Sequence, residues 1–435
     1  MSTQNRPDIH TFGCRLNIWE SEVMRRHAES AGLNDVVIIN TCAVTKEAER
    51  QARQAIRKLR REKPQAKIIV TGCAAQIDPD SWAAMPETDI LLGNNDKLQP
   101  ASWQDLAQGQ LPAKQVSDIM QVKEVASHLT GSFDDHTRGF LQVQQGCDHR
   151  CTFCIIPFGR GPSRSSSIAD VVANVRNMVE AGTREIVLSG VDITSWGQDI
   201  ENRPRLGVLV QEILRNVPEL PRLRLSSLDP AEPDNALMEV LASEARLMPH
   251  LHLSVQHGDD MILKRMKRRH LARDVIRFCQ EARRRRSDVV FGADIIAGFP
   301  TEDDAAHQAS CQLIGEADLV HLHIFGFSAR EGTPAARMPQ IEKSVIKRRV
   351  ADLRALGQEQ LKRHLHTRIG GHDMLLLETG GKGHLSGFEK AVLCPGDAPQ
   401  PVQKQHYQPG QLIAVTLQSV RGDAIEVVPL LARSA

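Results

Sequence analysis

The chain has 435 residues and a mass of 48.2 kDa, room for about three domains at roughly 150 residues each, which argues against a single small binding module. Hydrophobic residues at 41% and charged ones at 25% suit a folded protein with a sizeable core and exclude a disordered chain. The 54 basic and 53 acidic side chains nearly cancel, so overall charge gives no support for a nucleic-acid partner, and any such contact must rest on local clusters. No apolar run approaches the roughly 18 residues of a membrane helix, and the opening MSTQNRPDIHTFGC lacks the apolar stretch of a signal peptide. The expectation is a cytoplasmic protein with no membrane partner. Nine cysteines, an odd count at low density, favour metal or catalytic use over a disulfide framework.

From residue 8 short apolar strands alternate with amphipathic helices: DIHTFGC, DVVIINTC, KIIVTGCAA and DILLGN frame the helical NIWESEVMRRHAESAG and KEAERQARQAIRKLRREK. This predicts a parallel α/β domain over residues 5–110, followed by a linker from Gln110 to His136. A second alternation runs from GFLQVQQGC through EIVLSGVDI, RLRLSSLDP, HLHLSVQH, VVFGADIIAGFP and LVHLHIFGFS. Six strands with helices between them predict a central partial (βα)6 barrel over 133–365, closed by a basic helix at 341–370. The segments DMLLLE, AVLCP, QLIAVTLQSV and AIEVVP predict a small antiparallel β-barrel over 366–432. The fold class is therefore α/β with a terminal β-domain.

Cys14, Cys42 and Cys73 each stand at or near the end of a predicted strand, just before a helix. In an open α/β sheet the carboxyl ends of parallel strands share one edge, so the three thiols converge there. Small buried hydrophobes are the alternative for each alone; together they point to a three-thiolate site for an iron–sulfur cluster or zinc. Cys147, Cys151 and Cys154 form GCDHRCTFC directly after the first barrel strand. Their spacing lets one loop present three thiolates to a cubane and leave one iron open, with a zinc site completed by His149 as the alternative. Cys279, Cys311 and Cys394 read as core residues.

CxxxCxxC at the end of the first strand of a βα barrel resembles the cluster loop of the radical S-adenosylmethionine enzymes. With three upstream cysteines, the stretches LSGVDI, RLSSLDP and DIIAGFPTE, and a β-domain after REGTPAARMP, the chain resembles the methylthiotransferases over essentially its full length. TFGCRLN and NTCAVT are similar to the branch that acts on threonylcarbamoyladenosine at position 37, next to the tRNA anticodon. The resemblance implies that Cys147, Cys151 and Cys154 hold the radical-generating 4Fe-4S cluster, whose open iron chelates S-adenosylmethionine, and that Cys14, Cys42 and Cys73 hold an auxiliary 4Fe-4S cluster. It also implies a terminal TRAM domain associated with RNA binding, a tRNA substrate, and an electron donor such as a flavodoxin or ferredoxin. The implied reaction inserts sulfur at carbon 2 of an adenine, which has neither an acidic proton nor a leaving group, and a 5′-deoxyadenosyl radical meets that need. A second S-adenosylmethionine supplies the methyl group.

Candidate S-adenosylmethionine contacts follow the barrel strands. Gly190 and Gly298 suit close backbone approach to a nucleoside; Ser226, Ser227 and Asp229 suit its ribose or amino group or a helix cap; Gln256 and Asp294 suit the barrel mouth or a buried polar network. His257 stands where the family usually has Ser, as a loop residue of open role. Basic runs at 50–63, 264–286 and 343–368 are candidate phosphate contacts or solvated helix faces. Phe12, Trp19, Phe153, Phe158, Trp196 and Phe325 are candidate adenine neighbours or core. Competing functions keep the chemistry but move it to isopentenyladenosine of tRNA or an aspartate of a ribosomal protein, or make the chain a non-catalytic iron–sulfur RNA-binding sensor.

Overall fold

The computed structural model describes residues 6–123, 137–231, 234–394 and 407–430. Strands β1 (Asp8–Thr11), β2 (Val36–Thr41), β3 (Lys67–Gly72), β4 (Ile90–Leu92) and β5 (Lys114–Gln115) form one parallel sheet in that order. β2 reads VVIINT and is buried throughout, as a strand covered on both faces must be. Its Val36 and Ile38 pack on Met24 and Ala28 of α1 (Arg15–Ser30) and on Trp103 of α5 (Pro100–Ala107). Val37 and Ile39 pack on Ala52, Ile56 and Leu59 of α2 (Lys46–Glu62). That helix starts where Thr45 accepts a bond from the Ala48 amide, and its apolar residues recur at three- and four-residue steps. Short helices α3 (Cys73–Ile77) and α4 (Pro79–Ala83) complete the unit.

The expected linker is only partly one. β5 extends the first sheet, Asp96 accepts bonds from Ser117 N at 2.8 Å and Ser117 Oγ at 2.5 Å, and Ile119 is buried. A two-residue edge strand carries too little periodicity to be read from sequence. The remainder, 124–136, lies outside the described residues.

The second unit has the six expected strands. β6 (Gly139–Gln142) and the short antiparallel pair β7 (Gln144–Gln145) and β8 (Arg164–Ser165) frame α6 (Ile156–Arg160). There follow α7 (Ile168–Glu180), β9 (Glu185–Ser189), α8 (Leu206–Asn216), β10 (Arg222–Leu225), β11 (Ser227–Leu228), α9 (Asn235–Ser243) and β12 (His250–Gln256). The unit ends with α10 (Asp260–Arg265), α11 (Ala272–Arg285), β13 (Val290–Ala297), α12 (Asp304–Glu316) and β14 (Leu319–Gly326). All pairings between barrel strands are parallel, in the orders β10-β9-β6 and β11-β12-β13-β14. β10 and β11 are one strand broken at Ser226, so its two halves bond to opposite neighbours and the six strands make one open barrel.

Helix α13 (Lys343–Arg368) leads to β15 (His372–Leu377), β16 (Lys382–His384), β17 (Lys390–Leu393), β18 (Leu412–Arg421) and β19 (Ala424–Pro429). These close into a five-stranded barrel filled by Leu375, Leu377, Val415, Leu417, Ile425 and Val427. The expected antiparallel pattern holds except between β17 and β19, which pair in parallel. Order round a barrel is a tertiary matter that strand patterning does not reveal. The terminal barrel docks through Phe388, stacked 4.9 Å from His250, and through Arg224, which donates to Leu385 O at 2.8 Å and Ser386 O at 2.9 Å.

The first domain is joined to the central one by a buried charge network. Arg160 Nη1 lies 2.6 Å from Glu20 Oε1, Arg160 Nη2 donates to Asn17 Oδ1 at 2.6 Å, and Lys97 Nζ lies 2.7 Å from Glu20 Oε2. Burial by itself would raise the Glu20 pKa, but the two cations hold it down at about 2. Its contribution to stability is therefore present above the ordinary value of 4.5 and lost as pH falls through about 2. Glu20→Gln leaves two buried cations without their carboxylate and is expected to cost about 3–5 kcal/mol in urea unfolding at pH 7. An unchanged unfolding midpoint would refute this role.

Candidate active site at two cysteine triads

The edge formed by the carboxyl ends of β1, β2 and β3 carries the first triad, as the parallel pattern predicts. Cys14 is the residue before α1, Cys42 follows β2, and Cys73 opens α3. Cys14 is exposed, whereas Cys42 and Cys73 are buried. Gly13 has φ +100°, and a Cβ there would lie 2.7 Å from Cys42 Sγ, so only glycine lets the two cysteine loops touch. Burial, then the nearby Cys73 and Cys14, push the Cys42 thiol up to about 12. Asn94 Nδ2 sits 3.7 Å from Cys73 Sγ.

The second triad lies in the loop between β7 and α6. Gly146 turns the loop at φ +69°, where a Cβ would meet Pro162 O at 1.8 Å, and the Cys147 amide donates to Gly161 O at 3.1 Å. Thr152 pins the far side: its amide donates to Met266 O at 3.1 Å and its hydroxyl to Arg265 O at 2.7 Å. Burial raises Cys147 to about 12, helped by the Asp192 carboxylate and then the neighbouring thiols, and Cys154 to about 11, helped by Cys151. Arg268 faces this loop, with Nη1 3.7 Å from Cys151 Sγ.

A thiol that titrates so high stays neutral unless a cationic centre takes the place of its proton, which is what a metal does. Among the described residues, the sets whose ligand atoms all lie within 4.8 Å are Cys147, His149 and Asp192, and His252, Asp294 and His323. Each cysteine triad is a set of three soft donors, the chemistry that suits an iron–sulfur cluster or zinc.

Helix α6 joins the two triads. It leaves Cys154 within two residues, lays Gly159 against Cys73, where an added Cβ would stand 3.3 Å from Cys73 Cβ, and receives a bond from Asn94 Nδ2 at Gly159 O, 2.5 Å away. Its last residue, Arg160, enters the Glu20 network and is attracted by Cys73 and Cys14. Asn17, Glu20, Asn94, Lys97 and Arg160 were not singled out from the sequence. A Glu, a Lys and an Arg on amphipathic or loop segments look solvated until the fold buries them.

The candidate S-adenosylmethionine contacts divide. Ser226 Oγ is buried without a hydrogen-bond partner, as are both polar atoms of Gln142 on β6. Such orphaned groups in a barrel wall suit a polar ligand. Gln256 ends β12 at φ +71°, beside the register shift in its pairing with β13. Gly190 is crowded, with a Cβ falling 2.6 Å from Ile193 Cγ2 and 2.9 Å from Gln144 Oε1. Gly298, at φ +76°, would drive a Cβ to 2.4 Å from Ile346 Cγ1, so packing on α13 already accounts for it. Asp229 caps no helix; its carboxylate holds Arg268 Nη2 at 3.0 Å and is kept far below the usual carboxylate range by His270 and Arg268 against its burial. Ser227, partly buried, forms β11. Asp294 belongs to a polar network, its Oδ1 3.0 Å from His252 Nε2 and 3.1 Å from His323 Nδ1. His257 is not a solvated loop residue: it is fully buried, accepts from the Asp259 amide at 2.9 Å, and lies 3.8 Å from Glu302.

Of the candidate adenine neighbours, Trp19 and Trp196 are core, Phe12 packs on the first domain's core and Phe153 packs edge-on against Phe299. Phe158 and Phe325 are exposed. Cys279 is core as expected, while Cys311 and Cys394 are only half-buried. The run Arg283 to Arg286 is largely spent within the protein: Arg283 on Ala317 O and Asp318 O, Arg284 and Arg285 on Glu281, Arg286 on Asp288 and Leu247 O. It sits at the end of α11 that precedes β13, the barrel face opposite the cysteine loop, so this run does not point to tRNA.

Comparison with known proteins gives the family. Residues 141–314 match the radical SAM superfamily, and residues 6–93 match the uncharacterized protein family UPF0004. The threonylcarbamoyladenosine tRNA methylthiotransferase MtaB of Rickettsia prowazekii is 51% identical, covering 89% of this chain and 91% of that protein. The tRNA-2-methylthio-N(6)-dimethylallyladenosine synthase of Cereibacter sphaeroides is 34% identical over 88% of this chain and 89% of its own length. Among solved structures, the radical S-adenosylmethionine methyltransferase TsrM of Kitasatospora setae, with cobalamin and a 4Fe-4S cluster bound, aligns over 73% of this chain and 68% of its own. Its TM-score of 0.55 at 16% identity bears on fold alone. No described helix is long and apolar enough to cross a membrane. The chain belongs to the methylthiotransferase family of radical S-adenosylmethionine enzymes.

Proposed function

We propose that this chain methylthiolates carbon 2 of threonylcarbamoyladenosine at position 37 of tRNA, with Cys147, Cys151 and Cys154 holding the radical cluster and Cys14, Cys42 and Cys73 an auxiliary 4Fe-4S cluster. The observation that carries the reading is α6, which begins beside one cysteine triad and packs Gly159 on the other. Sulfur insertion needs a radical generator and a sulfur donor on either side of one adenine, and a sensor has no need of such an arrangement. The 51% identity to a threonylcarbamoyladenosine enzyme, against 34% to a dimethylallyladenosine enzyme, favours the first substrate.

Bound in these sites, the clusters would supply the electron that cleaves S-adenosylmethionine, and the sulfur. The chain supplies placement. Arg268, held by Asp229, places its guanidinium 3.7 Å from Cys151 Sγ. Arg160, in a buried network that holds two cations for one carboxylate, places positive charge beside the first triad. Ser226 and Gln142 offer unspent hydrogen-bonding groups in the barrel wall, and Gln256 stands at the carboxyl end of β12, so we assign them, with Gly190, to S-adenosylmethionine. Asp229 acts on the same site through Arg268. Phe325, at the end of β14, is the exposed ring best placed to stack on the adenine. A flavodoxin or ferredoxin as electron donor and a cytoplasmic location accord with a tRNA substrate.

Mass spectrometry of tRNA nucleosides from cells with and without the protein is expected to show the methylthio form of threonylcarbamoyladenosine lost on deletion. Loss of the isopentenyl counterpart instead would overturn the substrate and keep the chemistry. Substitution of Cys14, Cys42 or Cys73 with Ala should abolish methylthiolation and leave 5′-deoxyadenosine formation detectable, and should remove roughly half of about eight irons per chain. Substitution of Cys147, Cys151 or Cys154 should abolish both activities. Identical effects of the two groups would refute the division of labour.

A further inference from the structure

Arg15 is the first residue of α1, adjoining Cys14, and its position is unusual electrostatically. It is partly buried, and its guanidinium lies 5.9 Å from the centre of the Phe388 ring. Arg138 and Arg224 share that ring, at 5.3 and 5.2 Å. Arg138 pairs with Glu378 at 3.3 Å and Arg224 with Glu185 at 2.8 Å. Arg15, by contrast, makes no hydrogen bond or ion pair among the described residues. The charged groups near enough to act on it are Arg138 and Arg224, of like sign, and Asp294, of opposite sign. A guanidinium crowded by like charge and lacking a carboxylate partner costs stability unless something anionic meets it.

The groups beside it are also arranged for a polar ligand. His252 and His323 both bond the same Asp294 oxygen, and their rings lie 4.6 Å apart. Asp294 orients both imidazoles and leaves each with a second nitrogen for another partner. His323 is 55% exposed. Gly292 makes the room: a Cβ there would fall 2.5 Å from His252 Nδ1. Phe325 follows His323 on the same face of β14, one pleat repeat or roughly 6.7 Å nearer the barrel mouth. An exposed ring at the mouth thus stands above a polar floor.

We propose that Arg15 receives the carboxylate of the amino-acid substituent on the target adenosine, and that His323 and His252, oriented by Asp294, accept hydrogen bonds from the hydroxyl and N–H groups of that same substituent. The proposal rests on the threonylcarbamoyladenosine reading, since an isopentenyl group has no charge to offer. An Arg–carboxylate pair suits this geometry because the guanidinium presents a planar fork of donors.

The test uses the full-length, cluster-reconstituted protein under nitrogen with two anticodon stem-loop RNAs. One bears threonylcarbamoyladenosine and the other its methyl ester, which removes the charge and little else. Dissociation constants and kcat/KM are measured for the unaltered protein, Arg15→Gln and Arg15→Lys. The unaltered protein is expected to prefer the acid roughly ten- to a hundredfold, the range of a hydrogen bond to a charged group. Arg15→Gln should remove that preference by weakening the acid and sparing the ester, and Arg15→Lys should restore part of it. Equal loss for both RNAs would place the guanidinium on a phosphate or on the cofactor and overturn the subsite, as would an undiminished preference. A protein that modifies neither RNA but acts on isopentenyladenosine would overturn the substrate reading and the subsite together.

Discussion

The arrangement depends on one buried contact, the carboxylate of Glu20 held between Arg160 and Lys97. Three charged side chains with essentially no solvent exposure come from two domains, and Arg160 lies only six residues after Cys154. An ion pair so placed cannot slide, because any displacement would strand a charge where water does not reach. It therefore fixes the register between the first sheet edge and the cysteine loop of the barrel. Its chemical by-product is a positive charge beside the first triad, where Arg160 works against the burial that raises the Cys42 thiol.

The same economy recurs in the rest of the central barrel. Glu185 on β9 takes Arg222 and Arg224 from β10, and those arginines in turn donate to backbone carbonyls of the terminal barrel, so that domain is held by charge that the core has already compensated. Asp229 does likewise for Arg268 at the Cys151 loop. In each case a buried carboxylate is kept below its usual range by its partners, and in each case the arginine has capacity left for a second partner. Arg15 departs from this rule within the described part of the chain, and for that reason it is informative.

Backbone constraints supply the other half of the geometry. Gly13 and Gly159 each sit where a side chain would strike a cysteine, and Gly146, which opens the second cysteine loop, sits where one would strike Pro162. They bring thiols near one another without any direct role in chemistry. Gly298 shows the converse: a glycine at a barrel strand end invites a ligand-binding reading, yet its missing side chain accommodates Ile346. Likewise the arginine run at 283–286, conspicuous as a charge cluster, is largely consumed by helix-end carbonyls and Glu281. Charge density along a chain does not reveal where its partners lie.

The strand and helix alternation, the six barrel strands and both cysteine triads were legible in the sequence, because period-two and period-3.6 patterns and short ligand spacings are local properties. CxxxCxxC needs only its own loop to make sense. The convergence of Cys14, Cys42 and Cys73 was legible too, since parallel topology puts strand ends on one edge. What tertiary structure alone decided was which charges are buried and against whom. Glu20 and Arg160 are 140 residues apart, and no local pattern distinguishes a network member from a solvated residue. His257 stands in a loop, as read, but is fully buried there, and β5, read as linker, completes a sheet. Local physics set the elements and the cysteine loops; long-range desolvation, which exists only once the chain has closed on itself, set which charges lie buried between the two triads.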